Sequence, residues 1–379
     1  MRVRTVLAGA AIAASACRDP VARPAIRFLH TFGPDETEVF NAAMAERGIA
    51  VEPLLVPFAR GRQVISESLA AGTDCPELIR IDATWLPELV AAHLVVPPPQ
   101  PLTSLDWTPE ATALAQIGGA WWGLPQSLDG LIVLRDRDTP APASSSVADL
   151  VDAARAARST SRPYPLSVRV DGYWFVPWLR AEGGELAPAG IPEDGASRAM
   201  SAFSQLFGTV VPPPPASGSE DPDERRRWRA GEVAYWVTGP WQFGGLPDRE
   251  RVAVGALAGA PRGGQLLVVP KCARRPDDGW RLASELTSLP VEARFAEAFA
   301  SAPTRSAAAA AAPTLSRAVG EALRGAQMLP RAAVTPLLFD DLNPALAAVI
   351  ARDASPEEAT RGVRRGWARL SRETKQVAP

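Results

Sequence analysis

Histidine, lysine and cysteine are almost missing from this chain. Of 379 residues two are His and three are Cys, and Lys271 and Lys375 are the only lysines among 40 basic residues. A histidine-based triad could draw only on His30 or His93, and His93, near a helix end before "LVVPPP", reads as a cap or surface group. The widely spaced thiols do not form the ligand pattern of a zinc site. A Gly-x-Ser-x-Gly elbow, a His-Glu-x-x-His helix, a phosphate loop and a Gly-x-Gly-x-x-Gly turn are absent together, which removes the common signatures of hydrolases, metalloproteases and nucleotide binders. Acids are plentiful, so a carboxylate-pair hydrolase stays open. The formal net charge of -2 supplies no basic face for nucleic acid. After the N-terminus no apolar stretch is long enough to span a bilayer.

What is present is a globular composition, 46% hydrophobic and 22% charged, in a chain long enough for two domains. The first residues, "MRVRTVLAGAAIAASAC", give a basic start and a short apolar run. They read as a secretory signal over residues 1–16. Two endings compete: Ala14-x-Ala16 suits ordinary cleavage, and small residues followed by Cys17 resemble a lipobox with Ala14 where Leu is usual. An odd cysteine count in an exported chain favours the second. Cys17 would then carry lipid ahead of a tether over residues 17–24, leaving Cys75 and Cys272 as a disulfide pair or as two buried thiols.

From Ala25 the pattern alternates. "AIRFLH", "IAVEPLLV" and "ELIRID" read as strands, the last ending at Asp82. Between them run helices over 35–47, with Val39, Phe40, Ala43 and Met44 at helical spacing, and over 61–71, with Val64, Ile65 and Leu69 on one face. A βαβαβ series predicts a parallel sheet covered by helices, with ligands beyond the carboxyl ends of the strands. A second unit has a helix over 147–158 and a strand "YPLSVRV" leading into Tyr173 and Trp174. The proline run at 212–215 reads as an exposed loop, and "DERRRWR" as a solvated helix face. Further on, "GAPRGGQLLVVP" reads as another crossover, followed by helices over 277–288, 291–300 and 355–370.

Taken in order, several segments resemble one family. They are "SLAAGTDCPELIRIDATWLPELVAAHLVVP", "GGAWWGLPQSLDGLIVLRD", "PWLRAEGGEL", "RWRAGEVAYWVTGPW", "APTR" and "SPEEATRGV". The set is similar to the extracellular solute-binding proteins of ABC importers, the sugar-binding group related to maltose-binding protein. The chain departs from that pattern at the proline-rich loop and at Glu232, where a lysine is usual. The resemblance implies an α/β, two-lobed periplasmic-binding-protein fold with a hinge. It places 25–128 with 262–304 in the first lobe and 129–261 with 305–379 in the second. It also implies no cofactor, a carbohydrate ligand (a short oligosaccharide or glycoside), a partner permease of transmembrane subunits, a monomer, and a location in the periplasm or at the cell surface. A secreted carbohydrate-active hydrolase and a lipoprotein with a protein-contact role are the rival classes.

The candidate ligand residues follow from strand ends and crossings. His30 and Thr31 end the first strand; Asp82 and Trp85 end the third. Trp122, Gln126 and Asp129 flank the passage between lobes, where Arg305 also stands, its guanidinium free to chelate hydroxyls. Tyr173 and Trp174 follow a second-lobe strand, and Trp178, one turn on, reads as core. In "GEVAYWVTGPW" Trp236 reads as core and Trp241 as a cleft-facing surface for a sugar's C–H face. An ordinary cap or packing contact is the alternative for each.

Overall fold

The computed structural model describes residues 24–214, 224–246 and 248–377. Cys17, the signal and the tether lie outside the described residues, as does part of the proline-rich loop.

Two sheets organise the chain. The path of the first runs Gln327–Met328, Pro261–Pro270, Leu78–Asp82, Ile26–His30, Val51–Leu55, with Val95–Val96 and Leu124–Gly130 also paired to Pro261–Pro270. Ile26–His30 is parallel to both its neighbours, as the alternating pattern predicts. Pro261–Pro270 is antiparallel to Leu78–Asp82 and to Leu124–Gly130. Interior strands such as Leu78–Asp82 are buried almost throughout, while Val51–Leu55 is half exposed. That strand lies at the sheet edge and contains Pro53, a residue tolerated where a ladder bond is not needed. The second sheet runs Val252–Gly255, Ile132–Asp136, Tyr235–Thr238, Leu166–Ser167.

Local chemistry sets the helix ends. Pro34–Glu46 opens with Pro34 at its first position and Gly33 N donating to Glu36 Oε2 at 2.9 Å. Phe58–Ala71 stops at Gly72, whose φ of 66° suits glycine. The last helix, Pro356–Val377, begins with a reciprocal pair: Glu358 N donates to Ser355 Oγ and Ser355 N to Glu358 Oε2. It buries Trp367, whose Nε1 donates to the Leu338 carbonyl at 2.9 Å.

The sheets meet at two adjacent chain passages. Leu124–Gly130 in the first sheet is followed by Ile132–Asp136 in the second, and Val252–Gly255 returns to Pro261–Pro270. Gly130 has φ 151°, and a β-carbon there would fall 2.5 Å from the Pro261 carbonyl. Only glycine lets the passages lie so close. Helix Thr314–Arg324 packs on both sheets behind them.

Three expectations need correction. Val64 is exposed while Ile65 and Leu69 are buried, because only the latter two face the first core. The strand expected over "YPLSVRV" shrinks to Leu166–Ser167, the two positions that pair with Tyr235 and Trp236. The helix Glu224–Arg229 is not a solvated face. Glu224 and Arg227 are buried, and Glu224 pairs with Arg169 and accepts from Trp236 Nε1 and Gln242 Nε2. A carboxylate is buried there because charged and polar donors surround it.

Cys75 and Cys272 form a disulfide with Cα atoms 5.8 Å apart. Cys75 precedes Leu78–Asp82 and Cys272 follows Pro261–Pro270, so the antiparallel register brings a strand start beside a strand end. The bridge closes a loop with a sequence separation of 197. Replacing both cysteines by alanine is expected to lower unfolding free energy by about 2–4 kcal/mol in denaturant titration; an unchanged midpoint would contradict it.

Candidate functional site

The carboxyl ends of the first sheet's strands carry a charged cluster built on Arg80. The strand "LIRID" turns this arginine inward, and its side chain is buried. Arg80 Nε donates to Gln126 Oε1 and Nη1 to Thr31 Oγ1, both at 3.0 Å. Nη2 lies 3.6 Å from Glu36, and the guanidinium sits 4.4 Å over the Phe32 ring. Beside it His30 is enclosed by Phe28, Phe32 and Phe40. Its Nδ1 accepts from the Phe32 amide. Burial, then the neighbouring Arg80 charge, lowers the imidazole pKa to about 4, so near pH 7 it is neutral and only a weak base.

Two carboxylates stand at the mouth. Asp82 accepts from Thr84 N and Oγ1, and burial raises its pKa against those bonds. Asp129 Oδ2 accepts from Gln265 Nε2 at 3.2 Å. Burial, then the nearby Asp82 charge, raises the Asp129 carboxyl to about 7. Gln265 is opposite Asp82 in one strand pair, and Gly263 is opposite Asp129 in the other. The three side chains therefore share one face of the sheet. Arg331 comes from the segment after Gln327–Met328 and donates through Nη1 to the Leu114 carbonyl at 2.7 Å. Its Nε and Nη2 are buried without a partner. Burial lowers its pKa to about 10, with Asp82 acting the other way.

The second lobe presents aromatics to this floor. Asp171 caps the helix Gly172–Ala181 by accepting from Tyr173 N, which starts the helix with Tyr173 and Trp174. Tyr173 is half-buried, its hydroxyl donates to the Pro261 carbonyl, and burial followed by the charges of Asp129 and Asp82 raises its pKa. Trp174 is buried, with Nε1 donating to the Val237 carbonyl at 2.8 Å and Arg169 stacked 4.9 Å over its ring. Trp241 meets Trp174 edge to face at 6.1 Å and is 42% exposed. Gly239 allows this: a β-carbon there would fall 2.0 Å from the Trp241 ring. Trp236 and Trp178 are core, as their spacing suggests.

Asp82, Asp129 and Tyr173 are thus partly exposed and Trp241 is exposed, while His30, Thr31, Gln126 and Trp174 are buried beside them. Two tryptophans differ from expectation. Trp85 is 7% exposed and wedged against Gly61, where a β-carbon would meet its ring at 2.6 Å. It backs Phe58, 5.3 Å away and 53% exposed, which is the aromatic that the first lobe offers to solvent. Trp122 is partly buried against the first core. Arg305 is not in the cluster. It pairs with Asp106, stacks on Trp107 and donates to the Thr287 carbonyl, so its donors are engaged. Arg80, Glu36, Gln265, Arg331 and Phe58 were not anticipated. The one available signal was an arginine inside an otherwise apolar strand.

No protein-family profile and no curated sequence matches the chain. Solved structures do. The GacH receptor of Streptomyces glaucescens GLA.O, determined unliganded and with acarbose and an acarbose homolog, aligns with TM-score 0.80 and 22% identity over 91% of this chain and 98% of that one. The chain has the two-lobed fold of sugar-binding solute-binding proteins. The same fold occurs in an ABC transporter solute-binding protein of Thermotoga lettingae bound with α-D-tagatose, at TM-score 0.78 and 21% identity over 91% and 99% of the chains. It also occurs in maltose-bound MalE3 of T. maritima, at 0.80 and 19% over 91% and 100%.

A separate cavity of about 930 Å³ opens on the second lobe between Asp136, Thr139, Ala156, Trp228, Tyr235 and Arg251. Its acids Asp136 and Asp138 already pair with Arg251, and none of its lining residues has a buried polar atom without a partner. Nothing in it asks for a ligand.

The raised carboxyl of Asp129 has a consequence for stability. The folded chain holds this proton up to about pH 7, whereas an unfolded Asp releases it near pH ~3.9. Between those values the native state binds more protons, so this contribution is full below the unfolded pKa and is lost as pH rises through the folded one. Asp129→Asn is expected to raise stability by about 2–3 kcal/mol more at pH 8 than at pH 5. Equal effects at both pH values in thermal melts would contradict the assignment.

Proposed function

We propose that the protein is the solute-binding component of an ABC importer, capturing a carbohydrate between its lobes and presenting it to a membrane permease. The observation that carries this is Trp241: a large apolar ring held in the open by Trp174 and linked through Tyr173 to a floor of carboxylates. An apolar face beside convergent polar groups suits a sugar, which has C–H faces and hydroxyl edges. Acarbose, tagatose and maltose in the neighbours of this fold support the same ligand class. The reading divides the lobes as 25–128 with 262–304 and 129–261 with 305–379, although Gln327–Met328 pairs into the first sheet. A ligand touching both lobes binds the closed state better and so favours closure.

The same reading takes the protein outside the cytoplasm as a monomer, held to the membrane through lipid on Cys17. Among the described residues no helix is long and apolar enough to cross a membrane. Wild-type protein expressed from the whole sequence should partition into detergent and incorporate labelled fatty acid, and Cys17→Ser should release it. Wild type that stays in the aqueous phase would instead support cleavage after Ala16.

One observation favours a second reading, a carbohydrate-active hydrolase. Asp82 and Asp129 are neighbouring carboxylates, and one of them keeps its proton to about pH 7, as a general acid must. Calorimetry with maltose, maltotriose and tagatose, followed by product analysis, separates the two. Binding without turnover is the outcome expected here; released monosaccharide would establish the hydrolase. Trp241→Ala should weaken binding of whichever sugar is taken by about 1–3 kcal/mol, with little change in melting. Trp174→Ala should instead cost about 3–5 kcal/mol of stability. Normal binding by a poorly stable Trp241→Ala protein would show that Trp241 is core.

A further inference from the structure

We propose that the ligand of this cleft carries a basic nitrogen, a protonated amine on the saccharide, seated over Gly263 between Asp82, Asp129 and the side-chain carbonyl of Gln265. The proposal rests on the carbohydrate reading above and narrows it.

The charge count is the first argument. Three carboxylates meet at the floor, Glu36, Asp82 and Asp129, and two guanidiniums face them, Arg80 and Arg331. Arg80 is spent on Gln126, Thr31 and Glu36. Arg331 is anchored on the Leu114 carbonyl, toward the Asp82 side. His30 is neutral and Tyr173 keeps its proton, so neither adds a charge. One negative charge is left without a cation when both aspartates are ionised.

Gln265 supplies the second argument. It is only 6% exposed, its Nε2 is used by Asp129, and its Oε1 is buried with no partner. A buried acceptor left unpaired costs about 1–3 kcal/mol, so a donor is expected to reach it. Asp82, Asp129 and Gln265 lie on one sheet face, with Gln265 bonded to Asp129. An ammonium has three N–H donors and no acceptor, which matches that set.

The third argument is space. Pro261–Pro270 has glycine at 263, where a β-carbon would fall 3.0 Å from Asp129 Oδ1 and 3.9 Å from the Tyr173 hydroxyl. The missing side chain leaves the gap between that carboxylate and that phenol open. Asp82, Asp129, Tyr173 and Arg331 are all partly exposed, so the gap connects with the cleft. A neutral sugar hydroxyl could also bond here, but it would leave the charge uncompensated.

The test compares each amine with its hydroxyl counterpart on the whole protein: glucosamine with glucose, galactosamine with galactose, and the glucosamine disaccharide with cellobiose. Calorimetry at pH 7.5 should find at least one amine bound about tenfold or more tightly than its counterpart, as a charge-assisted hydrogen bond implies. At pH 5 Asp129 holds its proton, which removes the uncompensated charge, and that advantage should shrink. Gly263→Ala should abolish it by filling the gap; Gly263 has an ordinary backbone φ, so the added β-carbon strains no backbone and crowds Asp129 Oδ1 instead. Neutral saccharides that bind as tightly as their amines overturn this inference and leave the carbohydrate reading intact. An amine preference that persists at pH 5 or in Gly263→Ala overturns the seat. If no saccharide binds, charged or neutral, both readings fall.

Discussion

Burying a guanidinium is costly unless its charge and donors find partners, and the first lobe supplies several of them to Arg80. Its partners come from different elements: Thr31 after the first strand, Glu36 in the first helix, and Gln126 in the strand that leads to the second lobe. Meeting those bonds fixes how the ends of three strands and a helix sit relative to one another. Removing such a buried charge's partners leaves it uncompensated, at a cost of several kcal/mol. The position of Asp82, two residues along the same strand, and of Asp129, three residues beyond Gln126, follows from that arrangement.

The second lobe uses a comparable device with the sign reversed. Glu224 is the buried charge, and Arg169, Trp236 Nε1 and Gln242 Nε2 surround it. Arg169 also stacks on Trp174, and Gln242 is the residue after Trp241. The network therefore packs on Trp174 and fixes the residue that follows Trp241. Each lobe backs its half of the proposed site with a buried charge, polar groups on one side and an apolar ring on the other.

How much of this could be read in the sequence differs by element. The alternation of "AIRFLH", "IAVEPLLV" and "ELIRID" with helices was legible because period and length distinguish them. Asp82, Asp129, Tyr173 and Trp241 were legible as strand ends and turns. Arg80 was not, since its partners are 46 and 49 positions away and no local pattern announces them. Trp85 and Phe58 show the same limit from the other direction. Phe58 follows Val51–Leu55 and Trp85 follows Leu78–Asp82, and only packing against Gly61 decides which ring is buried. Arg305 stands at a crossing between the lobes, yet Asp106, 199 positions earlier, takes its guanidinium. The surface assigned to "DERRRWR" failed for the same reason: burial of Glu224 depends on Arg169, 55 positions earlier.

The account's central claim is that these two halves form one ligand site between the lobes. A crystal structure of the protein with its bound saccharide tests it most directly. The sugar should lie with a C–H face on Trp241 and its polar edge on Asp82 and Asp129, with both lobes in contact. A sugar bound elsewhere, for instance in the groove between Asp136 and Tyr235, with Trp241 left in solvent, would contradict it.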